Sequence, residues 1–331
     1  LADFEADRQL CESAKSPSCY SHVGVAAATR VVGLDGLQDQ YDYRTSIRRI
    51  STVENIRYQR LFNRNERAVI VAMDHCLFEG PLEGMTDLAE TASRVAPCVD
   101  GILLSPGMLH YCRQAFNYKG APLAVVRLNW STTYCTSLNF REGATVAAFS
   151  PAEALRLGAD VALISLTLQT GSETNDAHNV EVFRDLCSAA KELGMPVVGE
   201  YFPLAGETLP PDQLHEKVYW GARIIAELGA DLIKTFYTCN FRAVVESCPV
   251  PVLGLGAAKL PTQLMALQLA AAEVAAGAGG VVFGRNAIQV PDPIAFQQAL
   301  CDVVKRGLAP EEAARKHGLA DSPIKEEIAA R

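Results

Sequence analysis

The chain reads as an α/β protein, a (β/α)8 TIM barrel with an N-terminal extension, and three observations predict it. Eight short apolar runs between Ala68 and Arg285 alternate with amphipathic helical patterns. Strands buried on both faces read as near-continuous apolar runs, and alternation with helices marks parallel βαβ units. No Gly-x-Gly-x-x-Gly turn follows the first run, which removes the usual reason to prefer an open doubly wound sheet. The sixth run, residues 229–238, carries a lysine, Lys234, near its carboxyl end. An ammonium among apolar side chains is unfavourable unless it is paired or its pKa falls, and a lysine of lowered pKa is a usable nucleophile toward a ketone or aldehyde. The same residue reads equally as one half of an ion pair that fixes barrel packing.

Taken in order, residues 1–57 lack the strand–helix rhythm and form the N-terminal extension, with helical character near 4–14. A short helix over 56–63, with Ile56, Arg60 and Phe62 as its contacts, is expected to cover the amino-terminal end of the first strand. The barrel spans 58–308. Its first strand is 68–75 with a helix over 82–95, its second 101–105 with a helix over 106–118, and its third 123–129. The connection 130–149 is long and polar, and such lengths inside a compact domain are usually functional or assembly surfaces. Ser150-Pro-Ala-Glu153 announces a helix, with serine as N-cap, proline at the first helical position and glutamate at the third. Strand 160–168 is followed by helix 179–193, and strand 195–202 by helix 211–228; glycines 194 and 229 stop the two helices. After the Lys234 strand come strand 250–256 with helix 261–276 and strand 280–285 with helix 293–306. Residues 309–331 read as a C-terminal helix with a solvated charged face.

Composition excludes several classes. The 331 residues are 49% hydrophobic and 21% charged, as in an ordinary globular enzyme and unlike a disordered chain. A net charge of −8, with no basic cluster beyond Arg48-Arg49, argues against nucleic acid as a partner. No apolar run reaches the roughly 18 residues that a membrane span needs. The longest, 264–282, is Ala/Gly-rich and broken by Gln268 and Glu273. The first residues show no basic stretch followed by an apolar core, so no membrane partner and a cytoplasmic location are expected. The ten cysteines show no C-x-x-C spacing and are expected to be reduced packing thiols, Cys187 and Cys301 at core positions of helices.

Chemistry in such barrels sits at the carboxyl ends of the strands, where the sequence places Asp74, His75, Asn129, Gln169, Glu200, Lys234 and Arg285. Side chains alternate along a strand, so Asp74 shares a face with Ala72, Glu200 with Val198 and Phe202, and Lys234 with Leu232 and Phe236. If Lys234 points inward, both carboxylates can meet it. An iminium mechanism needs such a set: an amine, and acid/base groups that carry protons through the carbinolamine and to and from carbon. Burial beside Phe202 and Phe236 is expected to raise the pKa of Glu200. The competing readings are a salt bridge for Glu200 and a loop cap for Asp74. His75, beside Asp74 on the opposite strand face, is a second acid/base or a hydrogen bond to a loop. Gly254-Leu-Gly256-Ala-Ala-Lys259 and Gly284-Arg285-Asn286 end the seventh and eighth strands, where barrels build phosphate sites from backbone N–H groups. Arg285 can add charge-assisted hydrogen bonds there.

The pieces Met73-Asp-His-Cys-Leu-Phe-Glu-Gly-Pro81, Gly229-Ala-Asp-Leu-Ile-Lys-Thr-Phe-Tyr237, Cys248-Pro-Val-Pro-Val252 and Gly284-Arg-Asn-Ala-Ile-Gln289 resemble the archaeal-type class I fructose-bisphosphate aldolases. These group with deoxyribose-phosphate aldolase and with the thiolase that processes phosphorylated autoinducer-2. The resemblance runs from Arg60 to Val304. It implies Lys234 as the Schiff-base lysine, Asp74 as its assistant, and Gly256, Ala257, Gly284 and Arg285 around a substrate phosphate. It also implies a phosphorylated carbonyl substrate, no metal or organic cofactor, and a homo-oligomer. Three positions depart from the family pattern. Cys76 stands where the strand-one motif continues with glycine, and Ala257 takes the place of a second glycine. Phe202 stands where the fructose-bisphosphate aldolases carry a proton-transferring tyrosine. Phenylalanine transfers no proton, so either Glu200 or Tyr201 takes over that step or the reaction is a different one; related tagatose-bisphosphate aldolases use a strand-five glutamate. The expected activity is that of a class I aldolase on a phosphorylated ketose or related carbonyl compound. An acyl-transferring thiolase using coenzyme A and a catalytically silent barrel are the alternatives.

Overall fold

The computed structural model describes residues 55–62 and 67–319. In it β1 (Ala68–Ala72), β2 (Gly101–Leu104) and β3 (Leu123–Arg127) lead into a small antiparallel pair, β4 (Asn129–Ser131) and β5 (Thr145–Ala147). The chain then continues through β6 (Val161–Leu166), β7 (Val197–Tyr201), β8 (Leu232–Phe236), β9 (Val252–Leu255) and β10 (Gly280–Phe283). Eight of these strands close a parallel barrel in the order β1-β10-β9-β8-β7-β6-β3-β2, with β4 and β5 outside it. Every residue of the eight is buried, the physical reason that they read as unbroken apolar runs.

The helices are α1 (Ile56–Leu61), α2 (Cys76–Glu79), α3 (Leu88–Ser93), α4 (Pro106–Leu109), α5 (Pro151–Arg156) and α6 (Glu173–Glu192). They continue with α7 (Pro211–Glu227), α8 (Phe241–Ser247), α9 (Gln263–Ala275), α10 (Arg285–Ile288), α11 (Pro293–Arg306) and α12 (Pro310–Lys316). Ser150 caps α5 as its sequence announces, its side chain accepting from Glu153 N with Pro151 at the first position. The long helix expected over 82–95 shrinks to α3. Gly84 has a φ of +72°, which no helix accepts, and Asp87 restarts the helix by accepting from Glu90 N. Residues 106–118 likewise hold only α4 and a 3-10 turn over Arg113–Ala115. Three helices have no counterpart in the sequence reading: α2, directly after the first strand, α8, opened by Asn240 accepting from Ala243 N, and α10, which takes Arg285 out of the eighth strand.

Three aspartates repeat one device at the amino-terminal rim. Asp100, Asp160 and Asp231 each precede a strand and accept, through a carboxylate oxygen, the backbone N–H of Val69, Ala124 and Val197 at 2.7, 3.1 and 2.9 Å. The backbone N–H of each aspartate in turn donates to the carbonyl of the same neighbour, Val69, Ala124 or Val197. The pairs β1–β2, β3–β6 and β7–β8 are thereby pinned in register, and the β7–β8 register sets Glu200 opposite Lys234. Below the strands, α1 closes the barrel. Its N-cap Asn55 accepts from Arg57 N and Tyr58 N, and Tyr58, Leu61 and Phe62 join the interior cluster of Ile70, Leu103, Val125, Leu163, Val198 and Leu232. The expected contacts of this helix are corrected here. Ile56 is 77% exposed and Arg60 pairs at the surface with Asp160 at 3.2 Å, so of the three only Phe62 packs inward.

At the other terminus α12 buries Ala313 and Ala314, and Lys316 and His317 reach Asp302 of α11 at 2.6 and 2.8 Å. That charged side is therefore partly engaged with α11 rather than wholly solvated. The rest of the expected C-terminal helix, 320–331, and the helical character near 4–14 lie outside the described residues. Among the described residues no helix is long and apolar enough to cross a membrane, and none of the cysteines forms a disulfide. Cys187 and Cys301 are core residues, 0% and 4% exposed.

Candidate active site

Along the barrel axis the interior changes from apolar to charged. The period of two that puts Leu123 and Val125 inside β3 puts Arg127 inside as well, and the same alternation delivers Ser165 from β6, Glu200 from β7 and Lys234 from β8 at the carboxyl end. Lys234 Nζ lies 2.5 Å from Glu200 Oε1. The other oxygen of Glu200 accepts from Arg127 Nη2 at 2.5 Å, and Arg127 Nε donates to Asp74 Oδ2, also at 2.5 Å. Two carboxylates thus share two cations in a layer where Asp74, Arg127, Glu200 and Lys234 are 5%, 1%, 1% and 6% exposed. Buried charges survive only when paired in this way.

The pairing decides their ionisation. Burial works to raise Asp74, but Arg127 and then Lys234 outweigh it and hold the carboxyl at about 2. Burial acts on Glu200 in the same sense, and Arg127 and Lys234 again win, leaving it below the ordinary carboxylate range. The expected upward shift of Glu200 is therefore reversed. The aromatic neighbours Phe202 and Phe236 are present, with ring centroids 4.8 Å apart, but two cations at hydrogen-bond distance outweigh them. Arg127 is pushed well above its ordinary value, Glu200 and Asp74 overcoming the effect of burial.

This layer floors a cavity of about 230 Å³ whose walls include Asp74, His75, Phe78, Tyr134, Phe202, Glu207, Gly256, Ala257, Gly284 and Arg285. Of the residues singled out by sequence, Asp74, His75, Glu200, Lys234, Gly256, Ala257, Gly284 and Arg285 all meet here. His75 is on the cavity side because β1 ends at Ala72 and His75 leads into α2 with helical φ and ψ, so strand alternation does not reach it. Its ring fits against Gly284, where a Cβ would stand 2.3 Å from His75 Cε1. Tyr201 does not join the site. It faces outward from β7 into α7, where a Cβ on Gly221 would collide with its ring at 2.2 Å. Nor do Asn129 and Gln169: Asn129 bridges to Ser165 of β6, and Gln169 accepts from Lys217 at the surface. Arg285 Nη2 donates to Glu207 at 2.6 Å and to the Ala257 carbonyl at 3.1 Å. Ala257 itself carries a φ of +49°, a left-handed conformation that a glycine adopts without strain.

Two residues escaped the sequence reading. Arg127 had a signal, since the alternation applied to the other strands places it inside β3. Tyr134 had none, because it lies in an irregular turn over Thr132–Tyr134 between β4 and β5. Its hydroxyl donates to Glu200 Oε2 at 2.8 Å. Its ring packs on Phe78 and Phe202 at 4.6 and 4.5 Å and lies under the Arg127 guanidinium at 4.7 Å.

Comparison with known proteins gives the family. Over residues 68–290 the chain matches the model of the DeoC/LacD family aldolases. It is 30% identical over 256 residues to an uncharacterised aldolase of Saccharolobus solfataricus, covering 75% of this chain and 93% of that one. It is 29% identical to a 2-amino-4,5-dihydroxy-6-oxo-7-(phosphonooxy)heptanoate synthase of Streptomyces griseus, covering 76% and 89%. Among solved structures, an archaeal fructose 1,6-bisphosphate aldolase superposes with a TM-score of 0.65 at 29% identity over 76% of this chain and 98% of that one. Another, solved with its catalytic lysine covalently bound to the carbinolamine intermediate of the substrate, gives 0.63 at 28% identity over 75% and 98%. The chain belongs to the DeoC/LacD family of aldolases, as a class I carbon–carbon lyase.

Proposed function

We propose that Lys234 forms a Schiff base with a phosphorylated ketose, or a related phosphorylated carbonyl compound, and that a carbon–carbon bond beside the iminium is cleaved or formed. The carrying observation is Lys234 Nζ on the cavity floor, 2.5 Å from Glu200 Oε1. Glu200 takes the proton that the amine must lose before it attacks, and returns it to the carbinolamine oxygen as water leaves. Asp74 and Arg127 hold the charge of this layer fixed while the iminium cation appears. The substrate phosphate binds at the ends of β9 and β10, to backbone N–H groups around Gly256, Ala257 and Gly284 and to Arg285. Arg285 Nε has no hydrogen-bond partner among the described residues, and the phosphate replaces Glu207 on its other arm.

The names of two relatives support the donor half of the substrate. Fructose 1,6-bisphosphate and the 6-oxo-7-phosphonooxy product both carry a ketone one carbon away from a phosphate ester. The relatives favour this chemistry over acyl transfer to coenzyme A, and the intact Lys234, Glu200, Arg127 and Asp74 cluster argues against a silent barrel. The same reading makes the enzyme a cytoplasmic homo-oligomer, for which the exposed Tyr219 and Trp220 of α7 offer an apolar face. Borohydride reduction in the presence of dihydroxyacetone phosphate, followed by peptide mapping, tests the lysine. The adduct is expected on Lys234 and should vanish, with activity, in a folded Lys234→Met variant. An adduct on another lysine, such as Lys259, would overturn the assignment.

A further inference from the structure

Glu200 uses its two oxygens on different partners. Oε1 meets Lys234, while Oε2 accepts from both Arg127 and the hydroxyl of Tyr134. The phenol therefore stands one carboxylate away from the amine, in the wall of the same cavity. Its ring cannot swing freely, being held between Phe78 and Phe202 and stacked on Arg127. The turn that carries it is also fixed, with Ser131 Oγ accepting Thr133 N and Thr133 Oγ1 3.0 Å from Thr167 Oγ1. Phe202, at the end of β7, has no hydroxyl and serves instead as a wall for the tyrosine ring.

We propose that Tyr134 is a catalytic residue that relays a proton between the reacting hydroxyl of the substrate and Glu200 while the carbon–carbon bond breaks or forms. The proposal rests on Lys234 being the Schiff-base lysine. In the cleavage direction the electron pair of the breaking bond passes into the iminium and leaves a neutral enamine. The hydroxyl proton moves to the Tyr134 oxygen, the proton already on Tyr134 moves to Glu200 Oε2, and the hydroxyl carbon departs as an aldehyde. Glu200, now protonated, delivers that proton to the enamine carbon, so the protons balance without solvent entering. Burial and the Glu200 charge push the phenol well above its ordinary value. A free phenolate is thus disfavoured, and a relay that accepts one proton as it gives up another never forms one.

Tyr134→Phe removes the oxygen and keeps the ring. With dihydroxyacetone phosphate as the probe, the variant is expected to retain the borohydride-trapped adduct on Lys234. It should also continue to exchange the C3 hydrogen of the probe for solvent deuterium, because both steps need only Lys234 and Glu200. Condensation with the best acceptor in an aldehyde panel, from glycolaldehyde to glyceraldehyde 3-phosphate, should fall about a hundred-fold or more. A tyrosine that merely positions Glu200 would lower all three readouts together. That result, undiminished condensation, or a wild-type enzyme that exchanges the probe but condenses with no aldehyde would each overturn the relay. A wild-type enzyme that forms no adduct on Lys234 would instead remove the lysine assignment, and the relay with it.

Discussion

His75 stands at the rim of the charged layer, 4.0 Å from Asp74 through Nδ1, and that nitrogen has no hydrogen-bond partner among the described residues. Burial lowers its pKa to about 4; Asp74 opposes the shift, while Arg285, Lys234 and Arg127 add to it. The folded protein therefore holds a neutral imidazole at pH values where the unfolded chain binds a proton. Stability from this group is complete above pH 6.5 and is lost as pH falls toward 4, and a shift of this size corresponds to about 3 kcal/mol. Denaturant midpoints measured from pH 7 to 4 should fall more steeply for the wild type than for His75→Gln. Parallel curves would mean that the imidazole is solvated. Residue identity alone made Asp74, Glu200 and Lys234 legible, because charged side chains ending apolar strands have few explanations. Their ionisation was not legible. It depends on Arg127, whose place on the inner face of β3 connects Glu200 to Asp74, and a charge missing from the inventory reverses the sign of the Glu200 shift.

Between β9 and α9 the packing holds a further buried acid, remote from the reaction in any direct sense. Gly254 leaves a hollow that Glu273 fills; a Cβ on the glycine would lie 2.1 Å from the Glu273 carboxyl carbon. Glu273 is 0% exposed, neither of its oxygens has a hydrogen-bond partner among the described residues, and burial raises its pKa well above the ordinary 4.5. Burial thus favours the neutral acid in the fold. The sign is opposite to that of His75: once pH exceeds the unfolded value, the unfolded chain releases this proton while the folded protein keeps it. The contribution thus declines as pH rises, at up to about 1.4 kcal/mol per pH unit. Glu273→Gln keeps the shape and removes the titration. The stability difference between variant and wild type in urea should grow in favour of the variant from pH 5 to 8, and a constant difference would show that the carboxyl finds solvent or a partner. In the sequence Glu273 appears only as a charge that breaks the Ala/Gly-rich run 264–282. Its burial depends on a missing side chain 19 positions earlier, on a different element, and local periodicity carries no such information.

At the scale of the barrel, chemistry and closure occupy opposite ends, as in other folds of this type. The carboxyl end holds the charged layer and its cavity, and the amino end is stopped by α1. Eight strands and their order were legible because a parallel sheet covered on both faces leaves an unmistakable apolar signature; the aspartates before β2, β6 and β8 took on meaning only in the structure. The α1 stopper was legible as an element but not as a surface. Ile56 and Arg60 lie on one side of that helix and Tyr58, Leu61 and Phe62 on the other; the latter set, spaced i, i+3 and i+4, is the apolar stripe a buried helix face requires. The inner face determines the last prediction. Phe62 is 2% exposed and fills the barrel floor, where nothing but side chains of opposing strands can close a gap. Phe62→Ala should cost about 3–5 kcal/mol, the range for deleting a buried aromatic ring from a core, which is a large share of the stability of a typical domain. Because the lost contacts lie at the far end from Lys234, the folded variant should form the borohydride-trapped adduct at the wild-type rate. Urea titration and adduct kinetics on the same sample separate the two effects. Slower adduct formation in a variant of unchanged stability would mean that α1 acts on the site rather than on the barrel floor.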